Sequence, residues 1–354
     1  MVRPSASARY SLLKIRHLVS VALALSSFFY TATFCTATDV KTSPSTDAVT
    51  ISHSDFHGWK SITLRNPVAE VVIVPEIARV MAFSLLDGAG HALPSPFWNN
   101  PSLDKNMPPD VEGWKNYGGD KAWPSPQADW PKTTGRPWPP PAGFDAVPFT
   151  AAIHGHSIVM TSPVDPSYGI LIQRTIALDP AKPILSIKTT YEKRRGPPVR
   201  TGIWTITQLE SPDRLFILLP PHSQFPQGYV NAPPLKPRDL KLDARILSLS
   251  RDPDNKLKIG TDGTALLWVG GVTDLLLESK PAEAGSPTDW PEQGSRSQVY
   301  TSPGDREKYV EFELLDRLHD LKIGQQASLE VIYTLMSRTL PDPAAEARRV
   351  FPQP

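Results

Sequence analysis

The chain has 354 residues, with 37 Lys or Arg against 36 Asp or Glu, and so a formal net charge of +1. This balance gives no electrostatic reason to expect nucleic acid or an anionic membrane as a partner. The single cysteine excludes an internal disulfide. The 39 prolines argue against long helices, because a proline inside a helix costs about 3 kcal/mol.

Residues 1–37 are predicted to be a secretory signal peptide. Basic residues precede an apolar run over residues 18–34, and small residues follow it, ending at Ala37. The run is short and interrupted by Ser and Thr, so a permanent membrane anchor is the weaker alternative. Cleavage after Ala37 also removes Cys35. We therefore expect a periplasmic or secreted protein without a stable membrane anchor.

The rest of the chain is predicted to form one domain over residues 60–340, after a lead-in over 38–59 and before a tail over 341–354. Short segments with period-two alternation are separated by turn signals such as Asp-Gly and Pro-Gly, and only Pro343 to Val350 has a helical pattern. Predicted strands are Val68 to Val74, Val80 to Leu86, Gly169 to Leu178, Ile184 to Tyr191, Val199 to Gln208, Leu215 to Leu219, Ala244 to Leu249, Ala265 to Val269, Gln298 to Thr301, Lys308 to Leu315 and Ser328 to Met336. More than ten strands without intervening helices predict an all-β antiparallel sandwich.

The span from Pro94 to Pro148 holds thirteen prolines and five of the nine tryptophans, which indicates a long ordered loop. Within it, residues 114–127 combine aromatic rings, amides, a charge pair and a Gly-Gly turn, a mixture too polar for a core. Aromatic rings cover the C–H faces of sugars, and amides bind their hydroxyls, so we predict a carbohydrate ligand. The predicted binding residues are Asn116, Tyr117, Gly118, Gly119, Trp123, Gln127 and Trp130. Alternatively, tryptophans here anchor the loop to the sheet, and we expect at least one to do so.

The same segment resembles the signature of the bacterial DUF4380 family, Asn-Tyr-Gly-Gly-Asp-Lys-x-Trp-Pro-x-Pro-Gln, whose fold is similar to the galactose mutarotase-like β-supersandwich. Further segments that resemble the family extend the likeness over roughly residues 60 to 336. The resemblance implies a large antiparallel β-supersandwich, with the Pro94 to Pro148 loop as one wall of a cleft on a broad sheet. One departure concerns aldose 1-epimerases, whose paired histidines, one in an Asn-His-x-Tyr-Phe-Asn stretch, have no counterpart here.

Two glutamates in a late predicted strand are candidates for acid–base chemistry. Strand alternation places Glu311 and Glu313 on one face, with Val310, Phe312 and Leu314 on the other. Their Cβ atoms are then about 7 Å apart, so a bound sugar can meet one as a base and the other as a hydrogen-bond acceptor. Alternatively, both glutamates face solvent.

A second candidate is the pair Asp120 and Lys121, in which Asp120 grips vicinal hydroxyls and Lys121 serves as acid or hydroxyl donor. The alternative is a local salt bridge worth at most about 1 kcal/mol if it is exposed. Arg174, on the polar face of its strand, and Gln208 could also reach a bound hydroxyl. A cross-strand ion pair or an edge hydrogen bond explains these two equally well.

We expect no metal and no other cofactor, because His154 and His156, which are suitably spaced on a strand, lack an evident third ligand. The first hypothesis is an exported carbohydrate-binding protein with aldose 1-epimerase-like or related sugar-modifying activity. One alternative is a non-catalytic carbohydrate-recognition protein of the bacterial envelope, which the missing histidine pair favours. Another is a structural or assembly partner without a sugar ligand.

The signal peptide can be tested directly. We expect the exported protein to begin near Thr38 and to lack Cys35, and intact-mass measurement of the periplasmic form checks this. A mass that retains residues 1–37 contradicts the predicted cleavage.

Overall fold

The structure, a computed structural model, describes residues 49–110, 112–145, 147–231, 239–279 and 286–351. The predicted signal peptide and most of the predicted lead-in lie outside these residues. The helices are α1 (Trp130–Thr134), α2 (Ala142–Asp145), α3 (Pro291–Gly294) and α4 (Pro343–Val350). Among the helices in these ranges, none is long and apolar enough to cross a membrane.

Strands make up most of the fold, and each predicted strand has a counterpart whose ends lie within two residues of the predicted ones. The strands are β1 (Thr50–Phe56), β2 (Trp59–Arg65), β3 (Ala69–Val74), β4 (Arg79–Leu85), β5 (Asp120–Ser125), β6 (Thr150–His154), β7 (Ser157–Thr161), β8 (Ile170–Leu178), β9 (Ile184–Lys193), β10 (Val199–Glu210), β11 (Arg214–Leu218), β12 (Val230–Asn231), β13 (Lys241–Asp243), β14 (Ile246–Leu249), β15 (Leu257–Thr261), β16 (Ala265–Gly270), β17 (Thr273–Ser279), β18 (Ser297–Thr301), β19 (Tyr309–Leu315), β20 (His319–Leu321) and β21 (Gln326–Ser337).

These strands form two antiparallel sheets. The larger sheet has the order β1-β2-β3-β4-β5-β10-β19-β18-β15-β12, with β20 beside β10. The second sheet has the order β13-β14-β11-β16-β17-β21-β9-β8-β7-β6. The prediction of an all-β antiparallel sandwich is confirmed.

The core lies between the sheets and follows the alternation of each strand. On β19, Val310, Phe312 and Leu314 are buried in the same apolar cluster as Ile172 and Ile176 of β8. Each such side chain contributes about 1.5–3 kcal/mol when it is fully buried, so the inward faces supply most of the stability. The outward face of β19 is thereby left for Glu311 and Glu313.

The charged centre of this core is Asp120 of β5, whose side chain is fully buried. One carboxylate oxygen forms an ion pair with Arg174 of β8. The other accepts hydrogen bonds from Thr207 Oγ1 at 2.7 Å and Tyr333 Oη at 2.6 Å. Asp120 and Arg174 therefore join the two sheets. This corrects their assignment to a sugar site: Arg174 lies on the core face of β8, and neither group is open to a ligand.

The span from Pro94 to Pro148 is more than a loop, because β5 lies within it. All six residues of β5 are buried, and they pair with β10 from Gly202↔Ser125 to Thr207↔Asp120. The sequence suggested a segment too polar for a core. In the structure the carboxylate of Asp120 is satisfied by partners from β8, β10 and β21, which allows a strand with charged residues to occupy the middle of the larger sheet.

The Gly-Gly turn before β5 packs tightly against other backbone segments of the chain. Gly118 and Gly119 have φ values of +94° and +68°. A Cβ atom on Gly118 would lie 2.3 Å from the carbonyl oxygen of Trp98, and one on Gly119 would lie 2.5 Å from that of Val80. Only glycine tolerates this backbone geometry at such close contact. The two glycines therefore permit close packing of the turn rather than the close approach of a ligand.

Both ends of the described chain belong to the sandwich. β1 pairs along its whole length with β2, so the larger sheet begins inside the segment assigned to the lead-in. The predicted helix at Pro343–Val350 is present as α4, where Ala347 is buried in an apolar cluster with Phe216 and Leu267. The assigned tail is therefore packed on the second sheet.

The ion pair between the sheets gives a stability prediction. Asp120→Ala leaves the Arg174 guanidinium buried without its counter-charge, so we expect the free energy of unfolding to fall by about 3–5 kcal/mol. Urea titration measures it. The matched control is Asp243→Ala. The side chain of Asp243 is 75% exposed and pairs with Arg348, so this substitution should lower the free energy of unfolding by less than about 1 kcal/mol. Equal effects of the two substitutions would contradict the structural role of Asp120.

Candidate functional site

A cavity of about 490 Å³ lies on the face of the larger sheet that points away from the second sheet. Asp120 and Thr207 point toward the second sheet, so alternation turns their strand neighbours toward this outer face. The strands contribute Trp123, Trp204, Lys258, Tyr300, Tyr309 and Glu311 to the lining. The segments around β5 contribute Asp110, Glu112, Trp114, Gln127, Pro137 and Trp138. The Pro94 to Pro148 span thus forms one wall of the cavity.

Sheet order assembles the charged part of this lining. β15, β18 and β19 are neighbours, and their register sets Lys258 opposite Tyr300 and Tyr300 opposite Glu311. Directly opposed residues share one face of a sheet, so the three side chains form a row across the cavity. Glu313 lies two residues beyond Glu311 and bonds to Trp204 and Lys258, which both line the cavity. The prediction that the two glutamates share the face opposite the core is confirmed.

Two of the charges that line the cavity are each backed by a buried charge of opposite sign. The Glu311 carboxylate lies 3.7 Å from Lys121 Nζ, and Lys258 Nζ lies 3.0 Å from Glu313 Oε2. The side chains of Glu311 and Lys258 are 13% and 21% exposed, whereas those of Lys121 and Glu313 are fully buried. The outer two can therefore contact a ligand, and the inner two set their electrostatic environment.

The buried partners have protonation equilibria near neutral pH. Burial lowers the pKa of Lys121 to about 8, against the opposing effect of the Glu311 carboxylate. Burial raises the pKa of Glu313 to about 7, which the Lys258 ammonium opposes and the Glu311 carboxylate increases. Lys121 Nζ has no hydrogen-bond partner among the described residues. Titratable groups shifted in this way are typical of sites that move protons.

Five tryptophans pack around the cavity wall with Trp123 at their centre. The ring centroids of Trp114, Trp130, Trp138 and Trp204 lie 5.6 to 5.9 Å from that of Trp123. Trp130 is fully buried, and its indole N–H donates to the carbonyl oxygen of Pro124 at 2.8 Å. Trp130 is therefore the tryptophan that anchors the wall. This corrects its assignment as a ligand contact.

A buried carboxylate holds two of these rings. Asp145 of α2 accepts the indole N–H of Trp114 at 2.7 Å and that of Trp123 at 2.9 Å, on different oxygens. It also forms a buried ion pair with Arg79 of β4. Trp123 is only 5% exposed, so it serves the core as well as the cavity lining.

The structure brings five of the predicted site residues together and leaves the others elsewhere. Trp123, Gln127 and Glu311 line the cavity, and Lys121 and Glu313 lie directly behind it. Asn116 and Gln208 bond to each other instead, with Gln208 Nε2 donating to Asn116 Oδ1 at 3.0 Å. Tyr117 packs edge-on against Trp59 at 5.7 Å. The last three belong to the support of the loop rather than to the cavity lining.

Sequence reasoning missed several cavity residues. Lys258 is the most important, because it supplies the ammonium beside Glu313. The sequence did contain a signal for it. Lys258 lies between the apolar residues Leu257 and Ile259, the alternation of a strand, but strand β15 was not predicted. Asp145 gave no local signal, because its partners Arg79 and Trp114 are distant in the sequence.

A second cavity, of about 420 Å³, lies between the second sheet and the start of α4. Its Asp342 accepts the backbone N–H groups of Ala344 and Ala345, and its Arg214 forms an ion pair with Asp239. These polar groups already bind within the protein. The cavity beside Glu311 is therefore the stronger candidate site.

Comparison with known proteins places the fold. No family model matches the sequence, and no curated protein matches it. Among solved structures, a galactose mutarotase-like protein from Lactobacillus casei has a TM-score of 0.50 and 13% identity over 78% of this chain and all of that chain. The mutarotase candidate YeaD of Salmonella typhimurium has a TM-score of 0.51 and 11% identity over 81% of this chain and 94% of that one.

A larger protein also contains this fold. A TPR-domain containing protein from Parabacteroides distasonis has a TM-score of 0.50 and 14% identity over 80% of this chain. The alignment spans 48%, about half, of that protein's length. At these identities the likenesses show the fold alone, and the fold is galactose mutarotase-like.

The protonation of Glu313 gives a pH-dependent prediction. Its pKa is about 7 in the folded protein and 4.5 as an unperturbed group, so between these values the folded state binds more protons and stability falls as pH rises. Glu313→Gln removes this loss. We expect the free energy of unfolding of Glu313→Gln minus that of wild type to be larger at pH 7.5 than at pH 5, by up to about 3 kcal/mol. Urea titrations at both pH values measure the difference.

The control for this experiment is Glu70→Gln, which changes a half-buried glutamate paired with Arg65 at the surface. We expect a smaller pH-dependent difference there. A difference for Glu313→Gln that is flat with pH would show that Glu313 is ionised throughout this range.

Proposed function

We propose that this protein binds a carbohydrate in the cavity beside Glu311 and catalyses aldose 1-epimerase-like anomer exchange, with Glu311 as the base and Lys258 as the acid. One observation carries the proposal. Ring surfaces of several tryptophans and two opposed charged pairs, Glu311 with Lys121 and Lys258 with Glu313, meet on one face of a single sheet.

The combination suits a sugar. Aromatic rings stack on the C–H faces of a pyranose, and charged or amide groups bind its hydroxyls, here Gln127, Lys258 and Glu311. The fold supports the same class of ligand, since solved structures that share it include proteins named galactose mutarotase-like. A strand scaffold also fixes Glu311 and Lys258 more rigidly than loops would.

The chemistry needs a base and an acid on the same sugar. The Glu311 carboxylate takes the proton of the anomeric hydroxyl while the Lys258 ammonium protonates the ring oxygen, so the bond from the anomeric carbon to that oxygen opens to an aldehyde. Rotation and ring closure on the other face return both protons. Lys121 and Glu313 lie behind these two groups as their ion-pair partners.

A second candidate function is carbohydrate recognition without catalysis. No histidine is among the cavity-lining residues that the structure describes, and the sequence has no counterpart of the Asn-His-x-Tyr-Phe-Asn stretch of aldose 1-epimerases. This favours a binding protein if Glu311 and Lys258 do not act as a proton-transfer pair. The two functions share the cavity and differ only in turnover.

We further propose that the chain is a DUF4380 member and works outside the cytoplasm, in the periplasm or secreted. The family proposal is supported by the segment Asn116 to Gln127. The location is supported by the basic and apolar pattern of residues 1–37.

The test begins with a sugar panel, scored by thermal shift of the mature protein. For each sugar that binds, anomer exchange is followed by NMR or polarimetry. We expect wild type to accelerate exchange and Glu311→Gln to be slower by about 10²-fold or more, because Gln keeps the size of the side chain but cannot accept the proton. Binding should be largely retained.

The matched control is Glu192→Gln, a glutamate of β9 that pairs with Arg194 on the second sheet, and it should turn over at the wild-type rate. If wild type binds a sugar without accelerating exchange, the recognition function replaces the enzymatic one. If no sugar binds, both functions fail.

A further inference from the structure

Asp145 is a buried carboxylate that does not line the cavity, yet two rings of the cavity wall depend on it. Its Oδ1 accepts from Trp123 Nε1 at 2.9 Å and from Arg79 Nη2, and its Oδ2 accepts from Trp114 Nε1 at 2.7 Å. The side chains of Asp145 and Arg79 are 3% and 1% exposed. Three donors from three separate segments therefore converge on one carboxylate.

We propose that Asp145 is a positioning residue for the carbohydrate site: it holds Trp114 and Trp123 by their indole N–H groups, so that these rings offer the ligand only their carbon surfaces. This inference rests on the proposed carbohydrate function and narrows it. The ligand class is a pyranose with an unbroken apolar C–H face, which stacks on the carbon surfaces of these two rings and forms its hydrogen bonds with the charged and amide groups of the lining.

The carboxylate is suited to this role because it is charged and fixed. Burial alone would raise the pKa of Asp145, but the charges of Arg79 and Lys121 and the hydrogen bond from Trp123 hold it below its usual value. Arg79 in turn has no described hydrogen-bond partner for its Nε and Nη1 atoms. The side-chain hydrogen bond that the structure describes for this guanidinium goes to Asp145, and both indole N–H groups donate to the same charged carboxylate.

A third tryptophan ring is also held by a buried carboxylate. Trp204 donates its indole N–H to Glu313 Oε2 at 2.8 Å, beneath the Lys258 ammonium. Three cavity tryptophans thus give their only hydrogen-bond donor to a buried carboxylate. A tryptophan selected for hydrogen bonding to hydroxyls would leave its N–H open to the cavity. Polar recognition is left to the amide and charged groups of the lining, which include Gln127, Lys258 and Glu311.

Asp145 also acts on the charged pair at the sheet. Its negative charge favours the protonated form of Lys121 and so opposes the lowering of the Lys121 pKa, which burial causes. Lys121 in turn lies 3.7 Å from Glu311. Loss of the Asp145 charge should therefore move the protonation of Lys121 to lower pH, an effect that loss of packing alone would not produce.

The experiment compares Asp145→Asn with Asp262→Asn. Asp262 is also a nearly buried carboxylate, but it binds Ser223 and Gln224 away from the cavity. Two-dimensional ¹H–¹⁵N NMR of the ligand-free full chain resolves the indole resonances, and Trp114→Phe and Trp123→Phe assign them. We expect Asp145→Asn to shift both assigned resonances and Asp262→Asn to shift neither.

Sugar binding supplies the second readout, with a sugar that the panel shows to bind. Asp145→Asn should weaken binding by about tenfold or more, the loss expected when a buried charge-assisted hydrogen bond is removed. The pH at which Lys121 loses its proton should also be lower in this variant. Trp114→Phe keeps an aromatic ring but loses the N–H that Asp145 holds, so it should weaken binding by about threefold or more. Trp114→Ala also loses the ring surface and should weaken binding by about tenfold or more.

Unchanged indole resonances in Asp145→Asn would overturn the positioning role. Wild-type binding by Trp114→Phe would overturn it as well, because the ring would then need no anchor at Asp145, and this variant still decides the matter if Asp145→Asn fails to fold. The resonances are read without ligand. A protein that binds no sugar but shows the expected shifts therefore refutes the proposed function and leaves the anchoring of the rings intact.

Discussion

The buried ion pair between Asp120 and Arg174 is the constraint on which the rest of the structure depends. It joins the two sheets at β5, a strand whose sequence carries a carboxylate and an ammonium side by side. Because strand neighbours point to opposite faces, fixing Asp120 toward the second sheet fixes Lys121 and Trp123 toward the outer face. The pair thus aligns the strand that supplies the middle of the candidate site.

The outer face then uses burial and opposed charge together. Lys121 and Glu313 are fully buried, which costs free energy unless each charged form has a partner. Their partners are Glu311 and Lys258, two of the charged residues that line the cavity. A ligand that contacts the outer pair therefore changes the environment of the inner pair, so binding and protonation are coupled across one row of strands.

Much of the fold followed from residue patterns, and the site followed only in part. Alternation in segments such as Tyr309 to Leu315 determines which side chains face the core, so the sandwich and the shared face of Glu311 and Glu313 were predictable. Period two cannot show which strands become neighbours, so Lys258 was missed. Local polarity also misled: Asp120 reads as a loop residue until Arg174, 54 positions later in the chain, is placed beside it.

The charge arrangement shows how such a site can work without histidine. An unperturbed histidine titrates near pH 6.5, which is why acid–base sites so often use it. Here burial brings the pKa of Lys121 down to about 8 and that of Glu313 up to about 7, so both values are close to neutral pH. A buried lysine with a lowered pKa and a buried glutamate with a raised pKa can both gain and lose protons near neutral pH, as a histidine does. Proton transfer at Glu311 therefore does not require the missing histidine pair.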